Sequence, residues 1–159
     1  MKDLFFRQKK HINHWNSVLY NESIQLDVLR GKINKQHEPS LYEACSTLCS
    51  NTFKRFRIRI EEAKNYIKQV QSINCVCIKS LRHPDAPARL CHRKSLNHPF
   101  TCKACEVTIA YDEQCAHSIV ANDMKYVKDQ FDLRHFRRDC ISSEYKNKTD
   151  LNMMTTMSP

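Results

Sequence analysis

The sequence predicts a mainly α-helical chain, a long amphipathic helix beside a small cysteine-rich module of short strand and helix. Three observations carry that expectation. Gly occurs once in 159 residues; without it the φ > 0 turns of hairpins and the close backbone approach of phosphate-binding loops are hard to build, so P-loops, dinucleotide folds, sandwiches and barrels are disfavoured. One apolar stripe at helical spacing runs through residues 40–72. All nine cysteines fall between Cys45 and Cys140. With 41% hydrophobic residues the chain has apolar content for about one domain, or one plus a small satellite.

Residues 1–37 read as a polar segment with scattered aromatics. Asn21-Glu22-Ser23 precedes a short helical pattern, Ile24, Leu26, Val28 and Leu29, that Gly31 is placed to end. Residues 38–73 carry the long helix. Pro39 and Ser40-x-x-Glu43 match a helix start with a capping box. Apolar positions from Phe53 follow at Phe56, Ile60, Ala63, Ile67 and Val70, one stripe at alternating steps of three and four. At 1.5 Å per residue such a rod is ~50 Å long and needs a partner helix, in this chain or another. Cys45 and Cys49 join its apolar face and read as core, as does Cys75-Val-Cys77 further on. Residues 75–101 look loop-like, punctuated by His83-Pro-Asp-Ala-Pro87 and His98-Pro99. Residues 89–140 form the cysteine module, and 141–159 a polar tail without apolar period, expected to be disordered.

No run of about 18 apolar residues exists, so no membrane span is expected. Met1 to Trp15 lacks the apolar core and cleavage site of a secretory signal. Nine cysteines without such a signal point to a reducing compartment, nuclear or cytoplasmic, where clustered thiols bind metal more often than they pair.

The sharpest motif is Cys102-Lys-Ala-Cys105, nine residues, then Cys115-Ala-His117. Thiolates and imidazole are the usual ligands of Zn²⁺, which takes four in a tetrahedron. Residues i and i+2 of a regular helix point about 200° apart, so Cys115 is expected just before a helix and His117 in its first turn. Ser118-Ile-Val-Ala121 continues that helix inward, and Val107-Thr-Ile109 reads as a short strand between the ligand pairs. The expected cofactor is one Zn²⁺ held by Cys102, Cys105, Cys115 and His117, in a closed structural site that makes the module a compact zinc finger.

Phe100-Thr-Cys102-Lys-Ala-Cys105 … Cys115-Ala-His117-Ser-Ile-Val-Ala121 resembles a SWIM-type zinc finger, whose pattern is Cys-x-Cys, a spacer, then Cys-x-His and a small apolar helix. Gln130-Phe-Asp-Leu-Arg-His-Phe136-Arg-Arg-Asp139 resembles the stretch after this finger in Mutator-like transposases and their transcription-factor relatives. The first pair here is C-x2-C rather than C-x-C, and Asp112-Glu-Gln114 stands where the family carries Gly-x-Pro. The resemblance implies a zinc-binding, DNA-contacting module derived from a transposase. The carboxylate triad of such an enzyme has no place here, because only Asp3 precedes Glu22; no catalytic residue and no enzymatic activity are expected.

The balance is +9. Between Cys75 and Cys105 the cations Lys79, Arg82, Arg89, Arg93, Lys94 and Lys103 face Asp85 alone, a net of +5. Lys and Arg drive sequence-indifferent nucleic-acid affinity through counterion release. Arg89, Arg93, Lys94, Lys103, Arg134, Arg137 and Arg138 are the expected contacts to nucleic acid, DNA first. The alternative is a zinc-stabilised protein-interaction module that engages a partner through the 40–72 helix.

Overall fold

A computed structural model describes residues 2–136. In order its elements are α1 (Lys2–Lys32), α2 (Pro39–Thr47), α3 (Ser50–Ala63), β1 (Tyr66–Ser72), β2 (Cys75–Ser80), β3 (Arg89–His92), α4 (Glu106–Tyr111) and α5 (Ala116–Ala121), followed by single 3-10 turns at Lys128–Gln130 and Leu133–His135. The expected tail over 141–159, with Arg137, Arg138 and Cys140, lies outside the described residues.

The single rod over 40–72 does not form. α2 ends at Thr47, and Leu48 turns extended and bridges Phe136, while the Cys49 N–H donates to the His135 carbonyl at 2.7 Å. The joint carries no Pro or Gly; it is set by a distant segment. The polar run Ser46-Thr47 and Ser50-Asn51-Thr52 around it has weak helix preference, which lowers the cost of the break. Pro39 does open α2, but Glu38 is its N-cap and no side-chain cap bond forms, so the capping box is absent. Within α3 the stripe holds: Phe53, Phe56 and Ala63 are buried, with Ile60 packed at the edge. Beyond it, Tyr66-Ile-Lys-Gln-Val is a strand. Ile67 and Val70 keep the helical spacing but point to opposite faces of β1, and both are exposed.

The region expected to be loop supplies the rest of an antiparallel sheet of order β1-β2-β3. Lys68 pairs with Ile78 and Gln69 with Cys77 across the first ladder; Val76 pairs with Cys91 across the second. Since partners share a face, Val76, Ile78 and Cys91 form the inner side, and all three are buried. α5 packs on this inner side and on α3, with Ile119, Val120 and Ala121 buried between them. Phe56, Tyr126 and Phe131 close the core, their ring centroids 5.3 to 5.8 Å apart. The cysteine module is therefore no satellite: its strand β3 and helix α5 are part of the one core. The Phe53–Ala63 face is covered from within the chain.

Residues 1–37 hold one helix of 31 residues rather than a short one. It ends one residue past Gly31, which needs no left-handed geometry. Its last turns meet the body, where Leu26 is buried and the Cys45 thiol donates to the Leu26 carbonyl at 3.5 Å. Phe5, Ile12, Tyr20 and Ile24 are exposed along the remainder. No helix among the described residues is long and apolar enough to cross a membrane.

Candidate metal centre

Two structural junctions meet at the thiols. The first is a strand-like pairing after β3. His92 and Thr101 exchange both backbone hydrogen bonds, at 3.1 and 2.8 Å, which brings Cys102 back alongside β3. The second is the start of α5. Cys115 is its N-cap, and the Ser118 N–H donates to the Cys115 sulfur at 3.5 Å. His117 stands in the first turn, as the Cys-x-His spacing predicts. Its ring rests edge-on against Tyr66, centroids 4.8 Å apart. α5 then runs inward through the buried Ser118, Ile119, Val120 and Ala121.

These junctions bring the Cys102 sulfur, the Cys115 sulfur and a His117 ring nitrogen within 4.8 Å of one another, so that they could hold a metal ion. The Cys115 sulfur is 3.9 Å from His117 Nδ1. The two thiols polarise in opposite directions. The hydrogen bond from Cys102, against the opposing effect of burial, holds Cys115 well below the usual thiol range; Ser118 and His117 add to this. Contact with Cys115 and then Cys91, with burial, pushes Cys102 far up. A divalent cation bound here would displace the thiol protons and hold both sulfurs as thiolates.

Cys105, the remaining expected ligand, is not among the three that converge. It caps α4, half-buried, with its thiol raised by burial and the nearby Cys115 while the Val107 and Thr108 N–H groups act the other way. Val107-Thr-Ile109 is part of that helix rather than a strand. An Ile109 N–H to Cys105 carbonyl bond of 3.1 Å closes its first turn, and Glu106 suits the helix start.

The expected nucleic-acid contacts divide. Arg89, Lys94 and Lys103 are exposed. Arg93 is committed to structure: Nε and Nη2 both donate to the Ile73 carbonyl, at 2.8 and 2.5 Å, and its guanidinium lies 4.5 Å from the centre of the Phe100 ring. Arg134 is exposed but paired with Asp132 at 2.6 Å.

A buried ionic cluster escaped the sequence reading. Glu113, two residues before Cys115, has no exposed surface. It accepts from Arg55 at 2.5 to 3.2 Å and from Arg59, with His135 at 3.6 Å. Burial pushes its carboxyl up, but the hydrogen bonds from the two arginines prevail and hold it below the usual range. The neighbouring Gln114 is also buried; its amide donates to the Lys125 carbonyl at 2.8 Å and accepts from the Val127 N–H at 3.0 Å. Both residues clamp the loop that delivers Cys115. The one sequence signal was position: Arg59 falls three residues after Phe56 and four before Ala63, on the buried face of α3.

No family model, curated protein or solved structure matches this chain.

Proposed function

We propose that the chain is a non-catalytic zinc module resembling a SWIM-type finger, derived from a transposase, that contacts nucleic acid. The observation that carries this reading is the convergence of Cys102, Cys115 and His117. Two sulfurs and an imidazole are a soft donor set that suits Zn²⁺ and disfavours Mg²⁺ or Ca²⁺. A fourth thiolate from the cysteines flanking this trio closes the tetrahedron. A closed site holds the fold together and leaves no open position for substrate.

A detail of the backbone supports the resemblance. Asp112, which occupies the family's glycine position ahead of the Cys-x-His pair, has φ of 49°. That is the left-handed geometry glycine adopts most readily. Zinc would be bound by Cys102, Cys115 and His117, and Arg89, Lys94 and Lys103 would supply the cationic contacts to phosphate.

Elemental analysis of the purified full chain tests the reading. One zinc per chain is expected, and Cys115→Ser should lose most of it. A chain that purifies without metal and neither binds nor is stabilised by added zinc overturns the proposal. For the nucleic-acid part, duplex DNA of arbitrary sequence should bind weakly, with affinity falling steeply between about 50 and 200 mM salt. Absence of binding at low salt removes that part and leaves the metal module standing.

A further inference from the structure

Cys91 lies outside both motifs read from the sequence, yet the register places it at the metal centre. His92 and Thr101 are a hydrogen-bonded antiparallel pair, exchanging bonds of 3.1 and 2.8 Å. Extending that register by one residue sets Cys91 opposite Cys102, at a non-hydrogen-bonded position, where opposed side chains leave on the same face. That face is the inner one, shared by Val76 and Ile78 and covered by α5, whose N-cap is Cys115. Cys91 is 0% exposed and Cys102 1%. Both Cys115 and Cys91 are close enough to the Cys102 thiol to act on it.

We propose that Cys91 is a metal ligand, so that the centre is Cys91, Cys102, Cys115 and His117. The inference rests on the zinc reading above and names its fourth corner. The set is then two rigid pairs, one across a strand ladder and one at a helix start. A four-coordinate zinc with bonds of about 2.3 Å to sulfur needs its thiolates roughly 3.8 Å apart. The His92–Thr101 bridge sets Cys91 beside Cys102, and both residues are shut away from water. Cys105 is the competitor: like Cys91 it lies outside the converging trio, and it sits beside Cys115 and takes backbone N–H groups of α4, but it is half-buried and caps a six-residue helix, whereas Cys91 is fully buried on the sheet. Binding releases to solvent whatever thiol protons the ligating cysteines carry and changes no oxidation state.

Cobalt substitution of the full chain separates the two cysteines. Co²⁺ bound by three thiolates and an imidazole gives thiolate charge-transfer bands and tetrahedral ligand-field bands. Cys105→Ser should keep the spectrum and affinity of the parent. Cys91→Ser should lose one thiolate's share of the charge-transfer intensity and bind roughly tenfold or more weakly. The opposite pattern overturns the inference and leaves the zinc reading intact; a parent that gives no thiolate–cobalt bands overturns both. Because Cys91 is in the core and its variant can fail on folding alone, the unaltered chain loaded with ¹¹³Cd provides a second measurement. Scalar coupling from cadmium to the Cys91 β-protons is expected, and coupling to Cys105 without Cys91 refutes the assignment.

Discussion

Replacing Glu113 by Gln keeps the shape of the side chain and removes its charge. The consequence follows from how unevenly its partners are exposed. Glu113 itself is 0% exposed, the Arg59 side chain 8% and the Arg55 side chain 37%. Arg55 can turn towards water when its partner is neutralised, so its share is discounted for solvent screening. Arg59 cannot; it is left with an amide oxygen and the Gln114 carbonyl at 3.5 Å. Breaking a buried pair costs about 3–5 kcal/mol, and with the Arg55 share discounted the expected loss is about 2–4 kcal/mol. Against a typical stability of about 5–15 kcal/mol that is a large fraction. Urea unfolding of the zinc-loaded chain, followed by far-UV circular dichroism, should show the midpoint falling by about 1–3 M for slopes of about 1–3 kcal/mol/M. The double variant Arg59→Met with Glu113→Gln should recover part of the loss, since no buried cation is then stranded. Zinc affinity should fall about 10–100-fold, because Glu113 orients the loop that carries Cys115. A Glu113→Gln chain within about 0.5 kcal/mol of the parent would refute the argument that this carboxylate neutralises Arg59 in the core.

Asp112→Gly should stabilise the chain by about 1 kcal/mol, as the left-handed position is relieved of its Cβ; thermal unfolding of the two chains measures it, and a lower midpoint contradicts the reading of that turn. Tyr126 is pushed up to about 12 by burial, against 10 for a free phenol, so its neutral form is the one the fold favours. Stability should be level through that group below pH 10 and fall by up to about 3 kcal/mol between pH 10 and 12, a slope that Tyr126→Phe should flatten. Removing zinc with a chelator should lower the unfolding midpoint of the whole chain in one transition, because β3 and α5 share the core with α3; a biphasic melt that leaves α2 and α3 at parental stability argues for a separable finger.

What the sequence makes legible here is local. Cys115 as the residue before a helix, His117 in its first turn and the inward run to Ala121 follow from spacing alone, because two ligands at i and i+2 cannot both face one ion from within a regular helix. The stripe from Phe53 to Ala63 is legible for the same reason. What fails is set at long range. The rod is cut at Leu48 by a bridge to Phe136, 88 positions away in sequence. Its second half becomes a strand because Cys75–Ser80 offers a ladder, and a period of three and four cannot by itself reveal that Ile67 and Val70 lie on opposite faces.

The single glycine misleads and then explains. Its scarcity argues against sheet, yet three strands form, because the β1–β2 turn at Ile73-Asn74 needs no glycine and the β2–β3 connection is long and proline-rich. The need for left-handed backbone does not vanish with glycine; it passes to Asp112, Asp123 and Met124, with φ of 49°, 55° and 63°. All three flank α5, the helix that Cys115 caps: Asp112 precedes the Glu113–Gln114 clamp, and Asp123 with Met124 follows the helix end, the Met124 N–H closing back on the Ile119 carbonyl at 2.8 Å. Non-glycine residues in this region persist only where the surroundings hold them. Before α5 the holding is done by the buried Glu113 cluster, and after it by the Lys68–Asp123 ion pair and the Met124 N–H bond to Ile119. The turn at Asp112, the Glu113 clamp and Cys115 are continuous in sequence, so a substitution at Asp112 or Glu113 should register in the zinc affinity.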